Sequence, residues 1–192
     1  AVIGVIGMGY VGLPLVIAFA DKGFLAVGLD VDPDKVESLN AGISYIKHVP
    51  SERISHHVEV DRINATIDFA ALADVDAILI CVPTPLTGSR EPDLSYVEST
   101  AQMIVPHLRE GHLIVLESTT YPGCTESLLK PILEQSGMKS GEDFYLAYSP
   151  EREDPGNPEF ATSRIPKVVG GDGALALEIA TALYDQIVVQ TV

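Results

Sequence analysis

The chain opens with AVIGVIGMGYVG, residues 1–12, in which the spacing Gly-x-Gly-x-x-Gly directly follows a short apolar run. The apolar run predicts a buried strand, and apolar positions at helical spacing in residues 13–22 predict a helix after the glycines. In such a unit Gly7 permits a tight turn, Gly9 lets a pyrophosphate reach the backbone, and Gly12 lets the helix pack on the sheet. The stretch therefore predicts a strand, a turn and a helix built around a bound dinucleotide.

Two further features indicate which dinucleotide binds. Backbone N–H groups around Tyr10 and Val11, at the helix N-terminus, would hold the pyrophosphate. Asp30 ends the next apolar run, where a carboxylate accepts hydrogen bonds from ribose hydroxyls. The same carboxylate would repel the 2′-phosphate of NADP, and no arginine follows immediately to offset the repulsion, so NAD is the expected cofactor. Lys35, one helical turn on, contacts the ribose or a phosphate in one interpretation and is a solvated lysine in the other.

The composition limits the class of protein. The 192 residues are 46% hydrophobic, which is ample for one sizeable core, and the net charge of −15 argues against nucleic acid or an anionic membrane as a partner. Cys81 and Cys124 do not suggest a disulfide framework, and no apolar stretch approaches the length of a membrane span. The histidines show no metal-binding spacing, so no metal site is expected. We expect a soluble, cytoplasmic protein.

Apolar strand-like runs alternate with helix-like segments almost to the end of the chain, which is typical of a Rossmann-like, doubly wound and mostly parallel α/β sheet. We expect residues 1–192 to form one NAD-binding domain. The predicted strands lie at residues 2–6, 25–30, 65–68, 77–82, 112–117, 144–148, 167–170 and 187–192. After the first helix, the predicted helices lie at residues 34–40, 51–60, 94–108, 125–135 and 173–184.

Three loops that leave strand ends carry unusual side chains. In residues 81–86 two prolines fix an extended backbone and present Thr84 beside the cofactor cleft. Residues 117–123 are rich in hydroxyl groups, and residues 148–157 are irregular and highly charged. Each loop alone is compatible with ordinary turn chemistry. Because the carboxyl ends of parallel strands share one sheet edge, where cofactor chemistry takes place, the three loops together indicate an active site.

Four motifs occur along the chain in the order GMGYVGLP, VPTP, ESTT and SPER, at residues 7–14, 82–85, 117–120 and 149–152. In this combination the chain resembles the UDP-glucose/GDP-mannose dehydrogenase family, specifically its N-terminal NAD-binding domain, and the resemblance covers nearly the whole chain. Other segments are most similar to the branch that acts on UDP-N-acetylhexosamines, UDP-N-acetylglucosamine above all. Those segments are residues 44–46, 48–50, 90–94 and 151–157.

The resemblance implies a four-electron oxidation that reduces two NAD. The C6 hydroxyl of the UDP-sugar becomes an aldehyde and then, through a cysteine-bound thioester, a carboxylate, a product used in polysaccharide biosynthesis. The family places the nucleophilic cysteine, its partner lysine and a long central dimerisation helix in later parts of the polypeptide. We therefore expect this chain to be a truncated domain, inactive alone, from an enzyme that is a homo-oligomer at full length.

The resemblance also assigns roles residue by residue. Glu151 falls where the family places an acidic residue implicated in water activation, and Thr119 falls where it helps to position that water. Arg152 and Glu153 would meet the nucleotide sugar, while the alternative for Glu151 and Arg152 is a surface ion pair. Residues 45–50 would border the sugar pocket. The residues expected to contact NAD are Gly7, Gly9, Tyr10, Val11, Gly12, Asp30, Lys35, Thr84, Ser118 and Thr119.

Neither cysteine of the chain is expected to be the nucleophile. Cys81 lies within a strand pattern and is typical of a small core residue. Cys124 lies at a predicted helix start, where the helix dipole could lower its pKa, but the family places its nucleophile elsewhere.

Two other functions stay open at this point. One is a two-electron dehydrogenase of the 3-hydroxyisobutyrate type, which shares the first strand, helix and strand, although residues 83–85 and 150–152 speak against it. The other is a non-catalytic module that senses NAD and needs no nucleophile.

Overall fold

A computed structural model of the chain describes residues 1–88, 92–150 and 166–192. Within these residues seven strands form one sheet in the order β3-β2-β1-β4-β5-β6-β7. The first six strands are parallel to their neighbours, and β7 pairs antiparallel with β6. The predicted Rossmann-like, mostly parallel sheet is thus confirmed. The strands are β1 Val2–Ile6, β2 Leu25–Leu29, β3 Ile63–Thr66, β4 Ala77–Ile80, β5 Leu113–Leu116, β6 Tyr145–Tyr148 and β7 Gly170–Gly171.

Helices cover both faces of the sheet, because its central strands are apolar on both sides. Every residue of β4 and β5 is buried, as continuous apolar runs in a parallel sheet require. Apolar side chains of α1, α3 and α6 join the core on one face, and those of α4 and α5 join the core on the other. The α-helices of the described residues are α1 Gly12–Asp21, α2 Pro33–Asn40, α3 Ser51–Glu59, α4 Ser95–Ile104, α5 Lys130–Leu133 and α6 Ala174–Tyr184.

The strand order reverses between β1 and β4. The chain builds outward from β1 to β2 and β3, returns to β4 on the other side of β1, and continues to β5 and β6. In an open parallel sheet this reversal leaves a crevice at the carboxyl ends of the two strands, and ligands bind there. The turn after β1 and the loops after β4 and β5 all leave the sheet at this edge.

The third strand was predicted two residues too late. It spans Ile63–Thr66 instead of residues 65–68. The Asp68 side chain accepts a hydrogen bond from the N–H of Ala70 and caps a 3₁₀ helix, Phe69–Asp74, that the sequence reasoning missed. The strand therefore ends before Asp68, because an aspartate that accepts a hydrogen bond from the backbone two residues on favours a turn.

Two helices were predicted as longer and more regular than they are. α4 ends at Ile104, and a 3₁₀ turn, Val105–His107, follows it around Pro106. The predicted helix at residues 125–135 divides into a π turn Thr125–Leu129, α5 and a 3₁₀ turn Glu134–Ser136, with Pro131 inside α5. Proline lacks the N–H that continues an α-helical ladder, which accounts for both changes.

The strand predicted at residues 187–192 is not formed. The N–H groups of Ile187 and Val188 both donate to the carbonyl of Tyr184, so these residues continue the turn that ends α6. Only the last residues extend alongside the segment at Lys167, where Lys167 and Thr191 form an isolated bridge. The strand predicted at 167–170 is likewise reduced to β7, Gly170–Gly171. Apolar side chains at 187 and 188 are buried, but turn hydrogen bonds take their backbone out of the sheet.

Two kinds of feature are absent from the part of the chain that the structure describes. None of the helices in residues 1–88, 92–150 and 166–192 has both the length and the apolar character needed to cross a bilayer. The same ranges contain no group of three or more His, Cys, Asp or Glu side chains arranged to hold a metal ion.

Candidate cofactor site

The three glycines of the turn after β1 face three different surroundings. Gly7 has a φ of +94°, and a Cβ on it would lie 2.7 Å from the carbonyl oxygen of Cys81. A Cβ on Gly12 would lie 1.9 Å from the carbonyl oxygen of Gly7. A Cβ on Gly9 would meet nothing within 4 Å. Gly7 and Gly12 are therefore required by the fold, whereas the space beside Gly9 is open to a ligand such as a pyrophosphate.

Asp30 lies at the end of β2 and fixes the same turn. It is 6% exposed, and its Oδ2 accepts a hydrogen bond of 2.8 Å from the N–H of Met8. Its Oδ1 accepts from the N–H of Asp32 at 3.0 Å, and the Nζ of Lys35 lies 3.1 Å from Oδ2. A carboxylate has about four acceptor positions, so a ribose hydroxyl can still donate to it. Asp30 thus holds the turn of residues 7–12, which we call the phosphate turn. It also fits the role of ribose acceptor.

Lys35 is ion-paired with Asp30, with its side chain 35% exposed. This contact puts the ammonium at the expected ribose end of the site, and a contact between Lys35 and the ribose stays a prediction. The ammonium also supplies the positive charge that the sequence did not place directly after Asp30. The repulsion between Asp30 and the 2′-phosphate of NADP is therefore weaker than for an unpaired carboxylate.

The segment of residues 43–50 packs against the phosphate turn. The phenol of Tyr45 donates a 2.6 Å hydrogen bond to the carbonyl oxygen of Met8. Burial raises the pKa of Tyr45 well above its ordinary value, and the nearby carboxylates of Asp30 and Asp32 add to the effect, so the phenol stays protonated as a donor. The ring of His48 stacks on the ring of Tyr10, with centroids 5.8 Å apart.

This position of Tyr45 was missed by the sequence reasoning, which placed residues 45–50 at the sugar pocket by resemblance. Tyr45 and Met8 are 37 residues apart in the chain, and no periodicity or motif connects them. The one available signal was a tyrosine in a loop between two predicted helices, which is compatible with many contacts. The structure places Tyr45 at the dinucleotide turn.

The loops after β4 and β5 are joined to each other on the other side of the strand reversal. The hydroxyl of Thr84 donates to the carbonyl oxygen of Thr119 at 2.7 Å, and the hydroxyl of Ser118 donates to the carbonyl oxygen of Val82 at 2.6 Å. Ser118 is buried, Thr84 is half-buried and Thr119 is exposed. Thr119 thus takes part in this link through its backbone carbonyl, with its side chain exposed, whereas Ser118 joins the two loops through its hydroxyl.

Three of the predicted site residues lie outside the described residues: Glu151, Arg152 and Glu153. The described chain reaches this loop at Pro150, directly after β6. Ser149, which is fully buried, donates its N–H to the carbonyl oxygen of Leu116 and so continues the pairing of β6 with β5.

Neither cysteine has the surroundings of a nucleophile. Cys81 and Cys124 are both buried. Burial raises the pKa of the Cys124 thiol, which is the opposite of the lowering that a helix dipole could have caused. A buried thiol has no access to a substrate, so burial agrees with the expectation that the nucleophile is neither of these residues.

The open parallel sheet, with its glycine turn and acidic residue at the strand reversal, defines a dinucleotide-binding Rossmann domain. The chain belongs to the UDP-glucose/GDP-mannose dehydrogenase family, whose NAD binding domain model matches residues 1–188. The cofactor of this domain is NAD, as the sequence predicted.

Individual relatives agree with this assignment. The chain is 34% identical to the UDP-N-acetyl-D-glucosamine 6-dehydrogenase of Pseudomonas aeruginosa over 187 residues, 97% of the chain and 43% of that protein. It superimposes on the UDP-D-ManNAc dehydrogenase of Pyrococcus horikoshii with a TM-score of 0.93 and 33% identity, covering 100% of this chain and 46% of that one. It also matches the GDP-mannose dehydrogenase of Pseudomonas aeruginosa, solved as a ternary complex, with a TM-score of 0.90 and 27% identity over 98% of this chain and 45% of that one. The chain thus spans less than half the length of each of these proteins.

Proposed function

We propose that the protein carrying this chain is an NAD-dependent UDP-sugar 6-dehydrogenase. Its substrate is a UDP-N-acetylhexosamine, with UDP-N-acetylglucosamine the first candidate, and its reaction converts the C6 hydroxyl to a carboxylate with two NAD. The observation that carries the proposal is the NAD site itself, with open space beside Gly9 and hydroxyl-bearing loops at the same sheet edge, in a chain of this family. Residues 1–192 would be the NAD-binding unit of that longer protein.

In this proposal, the two halves of NAD bind on opposite sides of the strand reversal. On one side, Asp30 with Lys35 would receive the adenosine ribose, and the N–H groups of Tyr10 and Val11 would receive the pyrophosphate beside Gly9. On the other side, the loops joined by Thr84 and Ser118 would receive the nicotinamide half. NAD bound in this way supplies the hydride acceptor for both oxidation steps.

The remaining roles are assigned at the third loop and at Thr119. Thr119, whose side chain is exposed beside Thr84, would position a water molecule near the substrate. Glu151 would act as the general base that activates water for thioester hydrolysis, since a carboxylate with a bridging water and a suitable pKa can do so. Arg152 and Glu153 would contact the nucleotide sugar, where a guanidinium fork suits phosphate. The thioester step requires a thiol from outside these 192 residues, because Cys81 and Cys124 are buried.

The choice between epimers is open to direct measurement. The relatives include proteins named for UDP-N-acetyl-D-glucosamine and for UDP-N-acetyl-D-mannosamine at similar identity. The full-length protein, given each sugar at saturating NAD, should show a higher kcat/KM for UDP-N-acetylglucosamine. A higher value for the mannosamine epimer would retain the reaction and overturn the substrate.

The cofactor and the stoichiometry test the rest of the proposal. Titration calorimetry of the full-length protein should show tighter binding of NAD than of NADP, and turnover should release two NADH for each sugar consumed. Tighter binding of NADP, or no nucleotide binding, would overturn the proposal. One NADH for each substrate would favour a two-electron dehydrogenase, and NAD binding without turnover of any UDP-sugar would favour an NAD-sensing module.

A further inference from the structure

A buried charged cluster lies directly beneath the loop that carries Ser118 and Thr119. Glu117, which follows β5, is fully buried, and its Oε2 lies 2.9 Å from the Nζ of Lys167, itself 5% exposed. The fully buried phenol of Tyr184, at the end of α6, donates a hydrogen bond to the Oε1 of Glu117. The Lys167 ammonium also lies 5.1 Å from the centroid of the Tyr184 ring. We call these three residues the Glu117 cluster.

Stability alone does not explain such a cluster. Removing a carboxylate and an ammonium from water carries a desolvation cost that the ion pair recovers only with good geometry and further hydrogen bonds. Apolar side chains of similar volume often stabilise a core equally well or better. The two charges at this position therefore point to a role that depends on their placement.

The role of the Glu117 cluster is indicated by Ser118 and Thr119, the two residues that follow Glu117 in the chain. Glu117 is anchored on the face covered by α6, Ser118 donates to Val82 in the loop after β4, and the carbonyl of Thr119 accepts from Thr84. Two elements thus hold three consecutive residues: α6 holds Glu117, and the loop after β4 holds Ser118 and Thr119. The backbone that directs the exposed Thr119 side chain is fixed on both sides, which is the preorganisation that a binding group requires.

We propose that the Glu117 cluster is a positioning device for the nicotinamide half of the NAD site. It acts through the Ser118 and Thr119 backbone and has no direct contact with the cofactor. The inference rests on the proposed function, because it takes the loops after β4 and β5 as the nicotinamide side. Asp30 lies on the other side of the strand reversal, at β2, three strand positions from β5 and so roughly 14 Å away at about 4.8 Å per strand. The adenosine end of the site should therefore be independent of the cluster.

The test compares two ligands that share the adenosine end. NAD contacts both halves of the site, whereas ADP-ribose lacks the nicotinamide. Tyr184→Phe in the full-length protein removes one hydrogen bond to Glu117 and keeps the ring, the ion pair and the cation–π contact. We expect the Kd for NAD to rise about fivefold to tenfold, as for the loss of one ordinary hydrogen bond, and the Kd for ADP-ribose to change less than twofold.

Two further variants separate positioning from loss of stability. His112→Gln disturbs a buried polar group at the opposite end of β5, and it should lower the Tm while leaving the ratio of the two Kd values unchanged. The double variant Glu117→Gln with Lys167→Met removes both charges together and should change that ratio as Tyr184→Phe does. If Tyr184→Phe does not fold, the double variant provides the test.

The outcomes distinguish this inference from the proposed function. If the variants at the cluster raise both Kd values equally, or raise neither, the cluster is structural only and the inference is overturned. If the wild-type protein binds ADP-ribose and NAD with the same Kd, the nicotinamide does not contribute to binding, and the inference also fails. If the wild-type protein binds neither ligand, the proposed function fails with it.

Discussion

The phosphate turn has a glycine at three positions, and the reason for glycine differs at each of them. Gly7 requires a positive φ and close backbone approach, and Gly12 requires contact with the carbonyl of Gly7. Gly9 has neither a positive φ nor, among the described residues, a neighbour within 4 Å of a Cβ, so none of these residues excludes a methyl group there. In the proposed binding mode, the pyrophosphate of NAD would occupy that space. Stability and cofactor binding can therefore be separated within one motif.

Gly9→Ala should leave the fold intact and weaken NAD binding by at least tenfold, because the added Cβ occupies the space into which the pyrophosphate must come. The free energy of unfolding should stay within about 0.5 kcal/mol of wild type, as for a substitution that meets no neighbour. Denaturant titration and calorimetry with NAD measure the two effects on the same variant.

Gly12→Ala is the matched control for that prediction, since it adds the same methyl group three residues on. Its Cβ would lie 1.9 Å from a carbonyl oxygen, so the helix must shift and the free energy of unfolding should fall by roughly 1–3 kcal/mol or more. NAD binding unaffected by Gly9→Ala would show that the pyrophosphate lies elsewhere.

The sequence predicted the residues of this turn but not their partners. The glycines and Asp30 follow a spacing set by the local backbone, so the motif could be placed before the structure was known. Tyr45 and Glu117 owe their positions to contacts that span 37 and 67 residues. A lone tyrosine or glutamate carries no local pattern that reports such a contact.

Among the elements, the edge strand β3 is completed by a side chain. The Asn40 amide, at the end of α2, donates to the carbonyl of Ala65 at 2.9 Å and accepts from its N–H at 2.8 Å. This exchange copies the pairing that another strand would make. A strand edge with unpaired backbone groups is a site for unwanted association, and Asn40 satisfies part of it.

Asn40→Ala should therefore lower the free energy of unfolding by about 1–3 kcal/mol, since two hydrogen bonds of about 1 kcal/mol each are lost and backbone groups of Ala65 lose their partner. Urea unfolding gives the difference as a shift of the midpoint. Asn64→Ala is the control, because Asn64 is an exposed asparagine on the same strand and should change stability by no more than about 0.5 kcal/mol. Equal effects of the two substitutions would refute the role of Asn40.

The element predictions are accurate where the backbone pairs within the sheet, and they are wrong where a side chain or a proline changes the backbone hydrogen bonds. β1, β4 and β5 were placed within two residues because continuous apolar runs have few alternatives in a parallel sheet. The errors came where a side chain or a proline redirects the backbone, at Asp68, Pro106 and Pro131. Residues 187–192 were missed because apolar character predicts burial, and burial does not specify the backbone partner.

Across the whole molecule, the carboxyl and amino ends of the strands carry different groups of polar residues. The carboxyl ends carry the cofactor site, and the amino ends of β4 and β5 carry a polar cluster of Asp76, Arg109 and His112. The Arg109 guanidinium lies 3.1 Å from Asp76 and also donates to the carbonyl of Ala73 at 3.0 Å. The fully buried His112 lies with its Nε2 3.0 Å from the carbonyl of Val75. This cluster joins the strand starts and has no part in the site.

His112 should make the stability of the protein depend on pH. Its Nδ1 accepts from the N–H of Arg109, so Nε2 carries the proton of the neutral ring and donates to Val75. Burial, with the charge of Arg109, lowers the pKa of His112 below its ordinary value of about 6.5. Below that pH the unfolded chain takes up a proton that the folded protein does not, so the free energy of unfolding falls as the pH falls.

The wild-type protein and His112→Gln separate this effect from other titrating groups. The variant should be less stable at pH 7.5, and the difference in the free energy of unfolding should shrink between about pH 6.5 and pH 5.5, by at most about 1.4 kcal/mol per pH unit. Urea unfolding at several pH values measures it, with His56→Gln, an exposed histidine, as the control that should track wild type. A difference that stays constant from pH 7.5 to 5.5 would mean that His112 holds its proton equally well in both states, and that the amino-end cluster contributes through packing alone.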